Sequence, residues 1–254
     1  MLECLARRGE PLGLTEIAAA LDMSKSSVHE LLATLDQRKF VTRLPDQRYV
    51  VGIKAWEIGC LATPLELART AAPHMAALAR AVSEGIALAI RDGAEMVCIQ
   101  LAESPQAVRV HNMVGDRNPA HCVSTGLALL AALTDGEIAK LLPEELQQAT
   151  PETIGSRVAL LEELARIRRR GYAVNRSGWR SDVAGVAVVV RGPDSRAAAA
   201  LSIATLRDRM TEAWLEQTVP LLRAAAADIE RALGVPVAEG LAEARVRPSL
   251  QRVG

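Results

Sequence analysis

A short run of hydroxyl and basic side chains near the start of the chain has the composition of a nucleic-acid contact. The run reads Ser-Lys-Ser-Ser-Val-His over residues 24–29, and apolar residues from Val28 to Leu35 recur at i, i+3, i+4 and i+7, the spacing of one helical face. A helix in the major groove of DNA presents its N-terminal side chains to bases and phosphates. The candidate DNA contacts on this helix are therefore Ser24, Lys25, Ser26, Ser27 and His29.

Two arginines add to these candidates from a predicted hairpin. Arg43 and Arg48 flank the turn residues 45–47, which separate two short extended runs at 40–44 and 48–51. A hairpin after such a helix is a wing, and its arginines reach a neighbouring phosphate backbone or the minor groove. The alternative interpretation of both elements is an ordinary solvated face on a three-helix fold.

Cysteine and histidine form no recognisable metal or catalytic motif. The four cysteines are far apart and contain no CxxC pair, which indicates neither a zinc module nor a disulfide framework. His111 and His121 have no helical or knuckle spacing to Cys98 or Cys122, and the chain has no G-x-S-x-G elbow. We expect no metal, no cofactor and no catalysis, and we interpret the cysteines as small buried hydrophobes: Cys4, Cys60, Cys98 and Cys122.

The N-terminal candidates need helices that hold them in place. Apolar residues at Leu2 and Leu5, and again at Ile17 and Leu21, indicate two short helices before the one that begins after Ser24. Ser24 is a favourable N-cap because its hydroxyl accepts from a free amide of the first turn. Only residues 22 and 23 separate the second and third helices, the spacing of a helix-turn-helix. Residues 1–52 are therefore predicted to form a winged helix-turn-helix, with positive φ at residue 22, an Asp.

The remainder of the chain predicts an α+β domain. Helical periodicity from residue 53 to about residue 83 indicates a linker helix, over 53–70, followed by the opening helix of the second domain. Asp92-Gly93 between two apolar runs is a strong hairpin signal. Residues 71–237 are predicted to form an antiparallel sheet covered by helices, with room for a small-molecule pocket. Residues 238–254 are expected to be a flexible tail. The predicted segments are a third strand at 107–111, helices at 123–133, 135–142, 157–170 and 211–233, and strands at 183–191 and 197–205.

Composition and charge exclude several broad classes of protein. The chain has 254 residues, half of them hydrophobic and 24% charged, which is typical of globular domains. Thirty basic and thirty acidic residues exclude a polycation, and residues 1–52 carry seven of each, so the DNA prediction depends on the motif. The longest uncharged central stretch, residues 118–134, falls short of the roughly 20 apolar residues of a membrane span. Charges at Glu3, Arg7 and Arg8 argue against a signal peptide, so we expect a cytoplasmic protein.

These patterns together resemble the IclR family of bacterial transcriptional regulators over nearly the whole chain. The resemblance implies a winged helix-turn-helix, a linker helix and a GAF-like effector-binding domain. It also implies a homodimer or tetramer on a palindromic operator in double-stranded DNA. The expected function is thus a ligand-responsive transcriptional regulator and not an enzyme. The matching segments are 11–18, 24–29, 31–35, 68–74, 103–105, 108–111, 114–115, 121–122 and 168–172.

An effector site is expected in the second domain. Gly115, Ser124 and Thr125 bracket the start of a predicted helix, whose free amides favour an anionic group. In such a pocket, the asparagine and serine side chains that are named at the end of this paragraph would supply hydrogen bonds, and the tryptophan and valine side chains would supply apolar contact. The alternative is that the serines are caps or strand hydroxyls and that the tryptophan is core. The resemblance adds the positions that line the pocket in family members, which here are Asn175, Trp179, Val183, Gly185 and Ser202.

Departures from the family pattern bear on both sites. Glu30 stands where the family usually has Arg, which puts an anion on the helix expected to face phosphates. Leu127 replaces a usual Lys, and Arg-Ser-Asp-Val at 180–183 replaces Glu-Pro-Gly-Val. A pocket without that lysine has less reason to select a dianion, so a monocarboxylate or an aromatic acid is the expected effector. Glu30 motivates the alternative function, a ligand-binding or protein-interaction module with weakened DNA binding.

Overall fold

The computed structural model describes residues 1–60 and 63–235, which separate into two compact units at Glu66 and Leu67. The first unit is helical with a small hairpin, and the second is a six-stranded antiparallel sheet with helices on both faces. The fold class is α+β, as the sequence predicts.

The first unit contains the predicted helix-turn-helix and wing. Buried apolar residues of all three helices and the hairpin share one core, which includes Leu5, Ile17 and Leu32. Asp22 ends the second helix with φ 50°, the positive value that the two-residue turn requires. The elements are α1 (Leu2–Arg8), α2 (Leu14–Leu21), α3 (Lys25–Gln37), β1 (Val41–Arg43) and β2 (Tyr49–Val51).

Two helices follow, where the sequence predicts a linker helix over residues 53–70 and then the opening helix of the second domain. They are α4 (Ile53–Cys60) and α5 (Thr63–Val82). Residues 61 and 62 of the predicted linker helix lie outside the described residues, and so does the predicted tail at 238–254.

The sheet of the second unit has the order β5-β4-β3-β8-β7-β6, and every neighbouring pair is antiparallel. Its two central strands come from distant parts of the chain, since Ile86 pairs with Ile203. Gly93, at φ 60°, lies in the predicted hairpin turn. The strands are β3 (Gly85–Asp92), β4 (Glu95–Ala102), β5 (Arg117–Pro119), β6 (Ala173–Arg176), β7 (Val183–Arg191) and β8 (Ala197–Leu206).

The predicted third strand at 107–111 is wrong. Residues 103–116 form a loop, and Val108 is 63% exposed, so the apolar alternation there does not face a core. The chain pairs with β4 only after this loop, at residues 116–119. There the Cys98 N–H donates to the Asp116 carbonyl, and Glu95 pairs with Pro119. The strand beside β4 is therefore the short β5.

Helices cover both faces of the sheet. Val186, Val188 and Val190 of β7 pack with α5 and α9 (Glu212–Ala232), while Ala187, pointing the other way, packs with the opposite helices. Gly171 ends α8 at φ 76°, the cap that the sequence predicts. Helices on that opposite face are α6 (Ser124–Leu130), α7 (Asp135–Leu141) and α8 (Arg157–Arg170), after a 3₁₀ turn at Ala120–Cys122.

Candidate functional site

The N-terminal turn of α3 carries a cluster of hydroxyl groups. The Ser24 Oγ accepts from the Ser27 N–H at 3.1 Å and lies 2.9 Å from the hydroxyls of both Ser26 and Ser27. Val28 and Leu32 are fully buried, which turns the opposite side of the helix outward. The N-cap Ser24 and the four α3 residues predicted to contact DNA, Lys25, Ser26, Ser27 and His29, are all exposed. Glu30 is exposed beside them.

The two wing arginines differ in their surroundings. Arg43 lies over the ring of Tyr49 at 5.9 Å, and its guanidinium is solvent-exposed. Arg48 is held by Asp46, with 2.6 Å between the Arg48 Nη2 and an Asp46 carboxylate oxygen. The Arg48 side chain lowers the pKa of the Asp46 carboxyl below its ordinary value, mainly by hydrogen bonding. Arg48 must therefore exchange this carboxylate for a phosphate if it contacts DNA.

A cavity of about 380 Å³ lies in the second unit, on the face of the sheet that carries α6. It brings together seven of the eight residues that the sequence predicts for an effector site. Gly115 is the exception: it sits in the turn before β5 at φ 91°, where its N–H donates to the Cys98 carbonyl at 2.7 Å. The seven lining residues are Ser124, Thr125, Asn175, Trp179, Val183, Gly185 and Ser202.

Gly185 allows α6 to begin close to the sheet. A Cβ at this position would lie 2.7 Å from the Ser124 Oγ, so a side chain would push the helix away. The N-cap of α6 is Val123, and Ser124 is the first helical residue. Ser124 therefore directs its hydroxyl group towards the sheet and is not the cap of the alternative interpretation. Since α6 has only seven residues, its dipole gives weaker support for an anion than the predicted longer helix.

The other predicted lining residues have definite partners. The Ser202 hydroxyl donates to the Ala87 carbonyl at 3.4 Å across the β3 and β8 strands, which leaves its lone pairs free. Asn175 accepts the Gly178 N–H at 3.0 Å and so shapes the turn that carries Trp179. Trp179 is 38% exposed and belongs to the cavity wall rather than to the core.

A second segment supports the turn that carries Trp179. The Thr150 hydroxyl donates to the Ser177 carbonyl at 2.6 Å, and the Thr153 hydroxyl donates to the Gly178 carbonyl at 2.7 Å. Thr153 is buried and Ser177, at φ 64°, is completely buried. These bonds fix the backbone on which Asn175 and Trp179 stand.

Sequence reasoning missed several residues of the cavity wall. Cys98 and Cys122 line it, and burial raises the pKa of each thiol to about 11, so both are protonated at neutral pH. The alternation of β4 could have placed Cys98 beside Met96, whereas Cys122 comes from the 3₁₀ turn and had no signal. The other residues missed include Val110, His111, Asn112, Asp116, Arg117 and Arg180.

The cations of the cavity wall are already paired. Arg117 binds Asp92 and Glu95, with 2.8 Å between the Arg117 Nε and the Glu95 carboxylate. Arg180 binds Asp182 at 3.2 Å, and that contact lowers the pKa of the Asp182 carboxyl. The cavity therefore offers hydroxyl, amide and apolar groups more readily than a free positive charge.

A larger open groove of about 1080 Å³ contains none of the predicted site residues. Two of its arginines bind carbonyl groups of the chain: Arg168 donates to the Leu133 carbonyl at 2.7 Å, and Arg223 donates to the Arg170 carbonyl. The smaller cavity is the candidate effector site because it combines hydroxyls with an apolar wall.

Within residues 1–60 and 63–235, no group of three or more His, Cys, Asp or Glu side chains is arranged to hold a metal ion. None of the helices in this part of the chain is both long enough and apolar enough to cross a membrane.

Known proteins match both units. A model described as the IclR helix-turn-helix domain matches residues 1–45, and one described as the bacterial transcriptional regulator IclR C-terminal matches residues 61–231. The HTH-type transcriptional regulator XynR of Escherichia coli (strain K12) is 32% identical over 239 residues, which are 93% of this chain and 95% of XynR.

Solved structures agree with these matches. The Thermotoga maritima IclR crystal structure is 28% identical with a TM-score of 0.72, over 89% of this chain and 92% of that one. An IclR homolog from Microbacterium hydrocarbonoxydans, crystallised in complex with 4-hydroxybenzoate, is 27% identical with a TM-score of 0.77, over 88% and 92% of the two chains.

Proposed function

The chain belongs to the IclR family of bacterial transcriptional regulators, and we propose that it binds a palindromic operator under the control of a small organic effector. In this proposal residues 1–52 contact DNA, and the protein is a homodimer or tetramer in the cytoplasm whose two-fold symmetry matches the operator. In the same proposal, residues 53–70 are the linker between the two domains, and residues 71–237 are the effector-binding domain. The observation that carries it is that seven of the eight predicted effector residues, from three separate segments of the chain, line the same cavity.

The surface of α3 supports the DNA-binding part of the proposal. Lys25 and the hydroxyls of Ser24, Ser26 and Ser27 are exposed at the helix N-terminus, where donors and a positive charge suit phosphate oxygens. His29 is exposed one turn further along, at a position suited to base edges. Arg43 extends this surface from the wing.

The cavity supports a monocarboxylate or an aromatic acid as effector. Its volume of about 380 Å³ is ample for a single-ring acid, and Trp179 and Val183 provide an apolar wall. Leu127 occupies the position of the usual lysine and is buried, while Arg117 and Arg180 are paired with carboxylates. A second carboxylate on the ligand would therefore lack a free cation. The 4-hydroxybenzoate complex of the Microbacterium homolog is consistent with this ligand class.

We propose binding without chemical conversion in this cavity. The nucleophilic candidates in its wall are Cys98 and Cys122, and thiols with a pKa of about 11 are almost entirely protonated at neutral pH. A protonated thiol is a poor nucleophile.

Two experiments test the two parts of the proposed function. Selection from random duplex DNA should recover a palindromic sequence, and a thermal-shift screen should find stabilising monocarboxylates or aromatic acids. The screen includes 4-hydroxybenzoate, short monocarboxylates and dicarboxylates, and each hit is then tested for its effect on operator affinity. Recovery of no sequence-specific DNA contradicts the DNA-binding part. Strong stabilisation by dicarboxylates alone contradicts the effector class.

The second candidate function is a ligand-binding or protein-interaction module with weakened DNA binding. It is favoured by exposed Glu30 on α3 and by the Asp46 carboxylate that already holds Arg48. Salt-dependent binding to the DNA upstream of neighbouring genes discriminates the two functions, because only an operator-binding protein gives a steep salt slope on one sequence.

Glu30→Arg is expected to raise operator affinity about tenfold and to steepen the salt dependence by about one unit per half-site, because a cation replaces an anion near phosphates. Fluorescence anisotropy over a salt series measures both quantities. Glu30→Gln, which only removes the negative charge, should give a smaller gain. Loss of affinity together with relaxed sequence preference in Glu30→Arg would instead mean that Glu30 accepts from a cytosine amine.

A further inference from the structure

The loop of residues 103–116 forms part of the wall of the effector cavity. Val110, His111 and Asn112 line the cavity, whereas Val108 is exposed to solvent. The two ends of the loop are held near the sheet. At one end the Ser104 hydroxyl donates to the Ser83 carbonyl at 3.1 Å, and at the other the Gly115 N–H donates to β4.

Arg209 holds the middle of this loop. Its Nη2 donates to the Val108 carbonyl at 3.1 Å, and its Nη1 lies 3.2 Å from the Glu84 carboxylate. Among the described residues, this is the one hydrogen bond that joins positions 107–112 to an element outside the loop. Arg209 ends a 3₁₀ turn directly after β8, so one guanidinium links the loop to the sheet.

The anchor behind Arg209 is fixed. Glu84 is only 4% exposed and directly precedes β3, and the Thr205 hydroxyl donates to the same carboxylate oxygen at 2.8 Å. A buried carboxylate needs a cation or hydrogen-bond donors close by, so Arg209 is strongly held at this end. The planar guanidinium presents donors in two directions and can therefore serve Glu84 and Val108 at once.

We propose that Arg209 is a latch that holds the loop of residues 103–116 in place as part of the wall of the effector cavity. Breaking the bond from Arg209 to the Val108 carbonyl frees the segment that carries Val110, His111 and Asn112, and small molecules then enter or leave. Arg209 is a positioning residue, since it does not line the cavity. This inference rests on the proposed effector role of the cavity.

Thiol labelling measures the latch without effector or DNA. Cys98 and Cys122 line the cavity and are buried, so we expect iodoacetamide to label them faster when the loop moves away from the cavity. The full-length protein carries Cys4→Ser and Cys60→Ser, and peptide mass spectrometry follows the two remaining sites separately. Arg209→Ala should increase both labelling rates about tenfold, because one charge-assisted hydrogen bond no longer opposes opening.

Two further variants separate a latch from a purely structural role. Arg209→Lys keeps a cation beside Glu84 but has no second arm for the Val108 carbonyl, so it should retain the parental melting temperature and still label faster. Arg207→Ala is the matched control, because Arg207 pairs with Glu152 at 3.4 Å and should label at the parental rate.

The results decide the proposal as follows. Faster labelling in both Arg209 variants, with the control unchanged, supports the latch. Parental rates in both Arg209 variants overturn it. A faster rate in Arg209→Ala alone, accompanied by a lower melting temperature, also overturns it, because Arg209 then acts only as the partner of Glu84. Since no effector is used, a failed effector screen and a failed latch are distinguishable.

Discussion

Lys25→Ala combined with Arg43→Ala is expected to weaken operator binding about 100-fold per half-site, the largest effect on DNA affinity among these substitutions. Each side chain is exposed on the proposed DNA-binding surface, and each lost charge-assisted contact costs about 1.4 kcal/mol, or a factor of ten. The salt slope should fall by about two units per half-site, because two fewer counterions are released. Anisotropy titrations from low to high salt give both values.

The weakening should extend to all duplex sequences, since phosphate contacts carry no sequence information. Arg7→Ala is a suitable control because Arg7 is an exposed cation of the same unit that pairs with Glu3 at 2.9 Å on α1. Unchanged affinity of both single variants, Lys25→Ala and Arg43→Ala, at every salt concentration would exclude this placement of the DNA contact.

Trp179→Ala should raise the effector Kd about 30-fold. The indole is part of the apolar wall of the cavity, and losing its contact with an aromatic acid costs about 2 kcal/mol. The melting temperature of the free protein should change little, because Trp179 is 38% exposed. Calorimetric titration with the best aromatic acid from the thermal-shift screen measures the Kd.

Two other variants complete this test. Ser202→Ala removes one hydroxyl from the cavity wall and should raise the Kd about fivefold. Trp56→Ala deletes an equally large, 65% exposed ring on α4 that does not line the cavity, and should leave the Kd unchanged. An effector that binds Trp179→Ala and Ser202→Ala as tightly as the parent occupies a different site.

Local patterns in the sequence were enough to predict the helix-turn-helix. The Ser24 cap, the buried face at Val28 and Leu32 and the positive φ of Asp22 all depend on residues close together in the chain. Local signals failed where contacts between distant residues decide the structure. Residues 107–111 alternate like a strand, yet β4 takes its partner from residues 117–119, and the four-residue strand β6 gave no signal at all.

The candidate cavity could likewise be predicted from the sequence only in part. Five of the lining positions came from the family resemblance and two from the predicted start of a helix, and the structure brings all seven to one cavity wall. Three other features of the site bring together segments that are distant in the chain. They are the placement of Cys98 and Cys122 in one wall, the pairing of Arg117 with two carboxylates, and the bond from Arg209 to the Val108 carbonyl. Residue types and spacing do not encode these contacts.

The pairing of β3 with β8 has a consequence for synthesis on the ribosome. Ile86 and Ile203 are paired at the centre of the sheet, so the second unit closes only after most of the chain has been made. Such a high contact order slows folding, and the apolar faces of β3 and β4 stay exposed until β8 has been synthesised and can pair with β3. Residues 1–66, by contrast, form a compact unit from one continuous segment. The DNA-binding unit can therefore complete its core during translation, well before the effector cavity exists.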